Sequence, residues 1–141
     1  MPQGNCVLLA GNTPEIIKSI KKTIRSGFPE HRLQVVADGS EVLAYLSGLG
    51  AYANRTKYPA PSLVILDTAP PGIDSLTVLA WIRRESQRNT LPVIVLTTDG
   101  TAQRAYELGA NSCIRRTLLI GRSPALEATL TYWLTVNELP R

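Results

Sequence analysis

The chain has 141 residues, 44% of them apolar and 18% charged, with 15 Lys and Arg against 11 Asp and Glu for a formal net charge of +4. That length suffices for one domain around a single core, and so small a cationic excess does not by itself imply nucleic acid. The longest apolar runs, Val7 to Ala10, Leu63 to Leu66 and Val93 to Leu96, fall far short of the roughly 18 residues that cross a bilayer, so no membrane span is expected.

The amino terminus, Met1-Pro2-Gln3-Gly4-Asn5, has neither a basic start nor a long apolar stretch, so no secretory signal is read and the cytoplasm is the expected compartment. The first strand is expected at Cys6 to Ala10. A helix follows from Thr13-Pro14-Glu15 to about Ser26-Gly27: Thr is a capping residue, Pro suits the first turn and Glu favours the positive end of the dipole. Ile16, Ile17, Ile20 and Ile24 form its core stripe, with Lys18, Lys21, Lys22 and Arg25 on the complementary face. Most such faces are simply solvated. His31, the only histidine, is read as a surface residue in a polar turn.

A second strand is expected at Leu33 to Ala37 and a second helix from about Ser40 to Ser47, with a long polar loop carrying two prolines from Gly48 to Pro61. The third strand is Leu63 to Leu66 and the third helix runs roughly from Ser75 to Ser86. The fourth strand is Val93 to Leu96. A short fourth helix, near Thr101 to Leu108, ends at Gly109 in a left-handed cap. A weaker fifth strand, Ser112 to Arg115, precedes a last helix whose Leu126, Leu130, Trp133 and Leu134 make one apolar stripe before Pro140. Strand and helix thus alternate five times, which argues for an α/β fold with a mostly parallel sheet. Residues 1–141 are read as one domain, with no output domain expected after the last helix. Cys6 and Cys113 fall in strands and read as small core residues, without metal-ligand spacing.

In an open doubly wound sheet, ligands bind beyond the carboxyl ends of the strands. The residues there are Gly11, Asn12 and Thr13 after the first strand, Asp67 and Thr68 after the third, Thr97 and Thr98 after the fourth, and Arg116 and Thr117 after the fifth. Asp67 follows four apolar residues and precedes Pro70-Pro71-Gly72, so its carboxylate is expected at the sheet edge while the loop turns away. Such a carboxylate can accept a phosphoryl group, with hydroxyls and a guanidinium supplying hydrogen bonds and positive charge. It can equally cap a loop, and spacing alone leaves both readings open.

Several motifs together resemble the receiver family, the CheY-like domains of two-component signalling, over essentially the whole chain. Leu63-Val64-Ile65-Leu66-Asp67 looks like the phosphoacceptor strand, and Pro71 and Asp74 fit the loop after it. Leu91-Pro92-Val93-Ile94-Val95-Leu96-Thr97 resembles the strand that ends in the switch threonine, and Gly109-Ala110-Asn111 fits the turn before the fifth strand. Ala51-Tyr52-Ala53-Asn54, Tyr106-Glu107-Leu108-Gly109-Ala110-Asn111 and Trp133-Leu134-Thr135-Val136 look like the small response regulators that partner phytochromes. The resemblance implies a flavodoxin-like (βα)5 fold with strand order 2-1-3-4-5, Asp67 as phosphoacceptor, and Thr97 and Arg116 as phosphate contacts.

The departures are informative. Where the family carries an acidic pair that holds Mg²⁺, this chain has Gly11 and Asn12, so no metal, or weak Mg²⁺ through Asp67 alone, is expected. The family's lysine falls at Arg116, whose planar fork is not equivalent to an ammonium. Asp74 or Asp99, or a neighbouring chain, are possible substitutes for the missing acids. With two negative charges gone from beside it, Asp67 is free to pair directly with Arg116, mimicking part of the phosphorylated arrangement and locking one conformation.

The favoured expectation is a signalling receiver that acts through protein contacts with little Mg²⁺-dependent phosphorylation. The alternative is an active phosphoacceptor phosphorylated on Asp67 by a histidine kinase. An aspartyl-nucleophile phosphatase is disfavoured because Ala69 stands where a second acid is needed, and no small-molecule turnover is expected. No strand-to-helix turn offers a Gly-rich phosphate loop. DNA binding is disfavoured too, since Arg83, Arg84, Arg88, Arg104, Arg115, Arg116 and Arg122 are scattered through several elements with no recognition helix left over. The expected partners are a histidine kinase, phytochrome-like by the narrower resemblance, at the helix 1 face, and a second copy of the chain through helix 4, strand 5 and helix 5 around Trp133.

Overall fold

Short runs of branched apolar residues build the sheet: Cys6–Ala10 (β1), Arg32–Val36 (β2), Leu63–Asp67 (β3), Val93–Thr97 (β4) and Ser112–Arg115 (β5). The computed structural model describes residues 5–68, 74–85, 88–98, 100–120 and 124–140. All strand pairs are parallel and the order is β2-β1-β3-β4-β5, the order the resemblance implied. β1, β3 and β4 are buried at every position because helices cover both faces, which is why they read as unbroken apolar runs. β2 and β5 lie at the edges and are less buried.

Between the strands run Pro14–Gly27 (α1), Gly39–Ser47 (α2), Ser75–Arg84 (α3) and Ala102–Glu107 (α4), and Pro124–Thr131 (α5) follows β5. Alternate residues of the central strands face opposite layers. Val7, Leu9, Leu63, Ile65, Ile94 and Leu96 pack with Ile16, Ile20 and Ile24 of α1 and with Leu126, Leu130 and Leu134 of the last helix. Leu8, Ala10, Val64, Leu66, Val93 and Val95 pack with side chains of α2, α3 and α4. Each fully buried Ile or Leu contributes about 2 kcal/mol of hydrophobic stabilisation. Ile17 is only partly buried, while Lys18, Lys21, Lys22 and Arg25 are exposed as the spacing predicted.

Helix ends follow the polar residues beside them. The Asp38 carboxylate accepts from Glu41 N at 2.9 Å and starts α2. Asp74 accepts from Thr77 N at 3.2 Å and Thr77 Oγ1 at 2.5 Å and starts α3. The chain after α4 turns at Gly109, whose φ of +108° suits glycine. A Cβ there would also lie 2.8 Å from Arg83 Cγ. Arg83 holds that turn: Nε donates to Gly109 O at 2.8 Å, Nη1 to Leu91 O at 2.7 Å, and Nη2 to Asn111 Oδ1 at 2.7 Å.

Several expectations need correction. β2 begins at Arg32 and ends at Val36 instead of Ala37. Asp67 and Thr97 are the last residues of their strands instead of the first beyond them. The loop from Gly48 to Pro61 is not merely polar: a 3₁₀ turn, Gly50–Tyr52, brings Tyr52 to 4.9 Å from the buried Tyr45 ring, and Tyr58 packs edge-on against both rings. Arg55 then donates to Leu46 O in the last turn of α2 and to Tyr58 O in the loop. His31 is no surface residue, its side chain being 7% exposed. The ring packs on Phe28, and Nδ1 accepts from Asn5 N at 2.8 Å. Cys6 is buried, but Cys113, on an edge strand, is only partly so. The last helix changes to a π-helical turn over Tyr132–Val136, closed by Asn137 N donating to Tyr132 O, yet Leu126, Leu130 and Leu134 remain in the core. Among the described residues no helix is long and apolar enough to cross a membrane.

Candidate functional site

Asp67 continues the alternation of Leu63 and Ile65, so its side chain belongs to the layer between the sheet and α1. Arg116 stands two residues beyond Ile114, which packs in the same layer, and opens the 3₁₀ turn Arg116–Leu119. The two side chains therefore meet across the carboxyl end of the sheet. Arg116 Nε donates to Asp67 Oδ1 at 2.9 Å and Nη2 donates to Oδ2 at 3.3 Å. The Asp67 side chain is 3% exposed and that of Arg116 is 17%. A bidentate pair this shielded is firmer than an exposed one, because water competes less for either partner.

Three neighbours shape the pair. Thr13 Oγ1 accepts from Arg116 Nη2 at 2.9 Å. Buried Ser75 donates from Oγ to Asp67 O at 2.7 Å and ties the end of β3 to the start of α3. Gly11, whose N–H donates to Val36 O, lies against the acid: a Cβ there would stand 3.0 Å from Asp67 Cβ and 3.5 Å from Oδ2. Asn12 follows on the same loop and is exposed.

The other hydroxyls at the strand ends have different engagements. Buried Thr97 donates from Oγ1 to Ile114 O at 3.3 Å, and Thr68 donates to Leu96 O at 2.7 Å. Thr98 and Thr117 are exposed. Of the hydroxyls expected to converge on the acid, Thr13 meets its partner Arg116, while Thr97 and Thr68 bond backbone carbonyls. The carboxylate of Asp74 caps α3, and its bonds from the Thr77 hydroxyl and the Thr77 amide hold its pKa below the ordinary value. That engagement, not the Asp67 pocket, is where Asp74 is found. Met1 to Gly4, Ala69, Pro70, Pro71, Gly72, Asp99 and Arg122 lie outside the described residues. Among those described, no group of three or more His, Cys, Asp or Glu is placed to hold a metal ion.

Position after a strand was enough to single out Asp67 and Arg116. It did not reveal that Thr13 would serve the guanidinium instead of its own helix, nor that Ser75 would hold the Asp67 carbonyl. Two grooves mark the surface. Pro14, Ile17, Lys18, Lys21, Lys22, Arg25 and Ser26 line a groove of about 600 Å³ along α1. Tyr132 and Trp133, with Asn111, Ser112, Ala128 and Thr129, line one of about 480 Å³ beside β5.

The sequence profile of the response regulator receiver domain matches residues 7–121. The response regulator Rcp1 of Synechocystis sp. is 27% identical over 138 residues, spanning 95% of this chain and 92% of that protein. The crystal structure of the Mn²⁺-bound form of Rcp1 superposes with a TM-score of 0.83 at 26% identity, covering 97% of this chain and 99% of that one. That of the phosphorylated cyanobacterial phytochrome response regulator RcpA gives a TM-score of 0.81 at 26% identity, covering 98% and 99%.

Proposed function

The chain belongs to the response regulator receiver domain family of two-component signalling, and from that premise we propose that it is a degenerate receiver that signals through protein contacts in one locked conformation. The observation that carries this reading is the bidentate bond of Arg116 to both oxygens of Asp67. Phosphoryl transfer needs an exposed nucleophile and a counter-charge for the incoming phosphoryl oxygens. Here the counter-charge already lies on the nucleophile.

The donor set supports the same reading. Mg²⁺ is held by one or two carboxylates together with waters and phosphate oxygens. The residues at this site are a glycine, an asparagine, a threonine bonded to a guanidinium, and a carboxylate bonded to that guanidinium. They fit a divalent cation poorly, and a fixed positive charge stands beside the only acid among them. Arg116 supplies electrostatically some of what a metal and a phosphoryl group would otherwise bring, so Asp67 and Arg116 hold the ends of β3 and β5 together without a switch.

A second reading is favoured by the retention of Asp67 at the end of β3 and of Thr97 at the end of β4: an active phosphoacceptor in which Arg116 swings away to bind phosphoryl oxygens. Intact mass after incubation with acetyl phosphate and Mg²⁺ separates the two, with Asp67→Asn as control. The degenerate reading expects no change. A gain of about 80 Da, the mass of a phosphoryl group, confined to the unmutated chain would overturn it.

The partner reading rests on the same family. A histidine kinase, phytochrome-like by analogy with the phytochrome response regulator RcpA, would meet the basic face of α1. A second copy would pack through α4, β5 and α5 around Tyr132 and Trp133. A monomer mass by light scattering at micromolar concentration would remove the second-copy proposal.

A further inference from the structure

Thr13 stands where a capping hydroxyl belongs and is used elsewhere. Its backbone has the extended N-cap conformation, φ −90° and ψ 110°, and Pro14 follows at the first helical position, yet its side chain caps no helix amide. α2 and α3 do have side-chain caps, from Asp38 and Asp74. An N-cap threonine ordinarily accepts from the amide two or three residues on, here Glu15 or Ile16. The bond it accepts instead, from Arg116 Nη2 at 2.9 Å, is charge-assisted and therefore the stronger of the two.

That bond exists only while the guanidinium is held in place. Nη2 has two hydrogens and shares them between Asp67 Oδ2 and Thr13 Oγ1, while Nε fixes the plane through Oδ1. Asp67 in turn lies against Gly11, where a side chain would press on its Cβ. Remove the negative charge of Asp67 and β3 offers the guanidinium only a neutral oxygen, a weaker acceptor than the carboxylate. Arg116, already partly exposed, then gains by hydration, and the Thr13 hydroxyl loses its donor within reach of two helix amides.

Resting on the reading that the Asp67–Arg116 pair is the resting arrangement, we infer that Thr13 is a two-position hydroxyl, bonded to Arg116 while Asp67 is an ionised carboxylate and capping α1 once that charge is neutralised. The charge state of Asp67 thereby sets the first turn of α1. The groove along α1 begins at Pro14 and carries Lys18, Lys21, Lys22 and Arg25, so a change at this turn reaches the basic face directly.

Amide NMR of the full chain tests this. Asp67→Asn and Arg116→Gln each remove one arm of the staple. Both are expected to shift the Glu15 and Ile16 amide resonances and to slow hydrogen exchange at the capped amide by about fivefold. Adding Thr13→Val to either variant is expected to abolish the slowing. The inference is overturned if neither single variant slows exchange there, or if the slowing survives Thr13→Val. A phosphoryl gain in the mass experiment would overturn the locked reading by itself, whereas the NMR comparison judges the hydroxyl exchange alone.

Discussion

Two shielded arginines hold this molecule together in opposite ways. Arg83, at the end of α3, gives its donors to neutral oxygens: the carbonyls of Gly109, Leu91 and Asn89 and the side-chain oxygen of Asn111, which also accepts from Val93 N. Burial pushes its pKa below the ordinary guanidinium value. Arg116 gives its donors to a carboxylate and a hydroxyl at the carboxyl end of the sheet. At the first site the fork geometry matters and the charge is a cost. At the second the charge is the point, because it is met by the nearly buried carboxylate of Asp67. An arginine is therefore read by what accepts from it, more than by how deeply it lies.

The largest effect expected from breaking either site is at Arg83. Arg83→Ala leaves several oxygens without their donor and is expected to lower stability by about 3 kcal/mol in urea unfolding. Because the acceptors are neutral, the loss should be nearly the same in 1 M NaCl. Arg83→Lys, which keeps the charge and loses the fork, should recover less than half of it. A full rescue by lysine would refute the geometric account.

A smaller effect, of a different kind, is expected at Arg116. Arg116→Ala takes the bidentate donor from a nearly buried carboxylate and should cost about 2 kcal/mol, while Asp67→Asn, which keeps an acceptor oxygen, should cost about 1 kcal/mol. Adding Asp67→Asn to Arg116→Ala should restore part of the stability, since the carboxylate charge is then gone. A double variant no more stable than Arg116→Ala alone would show that the pair is not coupled. To sharpen the contrast, Gly11→Asp, Asn12→Asp and Arg116→Lys together should make the melting temperature rise with added Mg²⁺ more than that of the unmutated chain, as differential scanning fluorimetry would read.

The smallest effect concerns the caps. Asp74→Ala should cost about 1 kcal/mol through α3. Hydrogen bonds from Thr77 lower the Asp74 pKa in the folded chain, so its contribution is present above the ordinary carboxylate range and is lost as pH falls through the folded value. Thr13→Val, which touches neither Asp74 nor Thr77, should leave that acid dependence unchanged. Urea unfolding at pH 7 and at pH 3 distinguishes the two.

Much of this was legible in the sequence. Val7 to Ala10, Leu63 to Leu66 and Val93 to Leu96 are apolar at every position because central parallel strands are covered on both sides. The isoleucines of α1 repeat at helical spacing because one stripe meets the sheet. Asp67 stood out by closing such an apolar run, and Arg116 by following the weaker run of β5. Other features left no signal. Arg83 binds mostly backbone carbonyls, which every residue carries, so no residue type announced the site. His31 reads as a turn residue, and only the approach of Asn5 and Phe28 buries it. The loop tyrosines, Tyr52 and Tyr58, are scattered in sequence and form a cluster only once the loop folds back on Tyr45.

The sequence by itself determined the alternation of strand and helix, the faces that must be buried and the residues delivered to the strand ends, because these depend on local periodicity and on polar residues adjacent in the chain. The tertiary structure decided which of those residues meet. Thr97 and Thr68 turn to backbone carbonyls, Asp74 turns to its own helix, and Thr13 reaches an arginine 103 residues away. Those choices depend on the phase of each strand against its neighbours and on distances across the sheet, which no local pattern encodes.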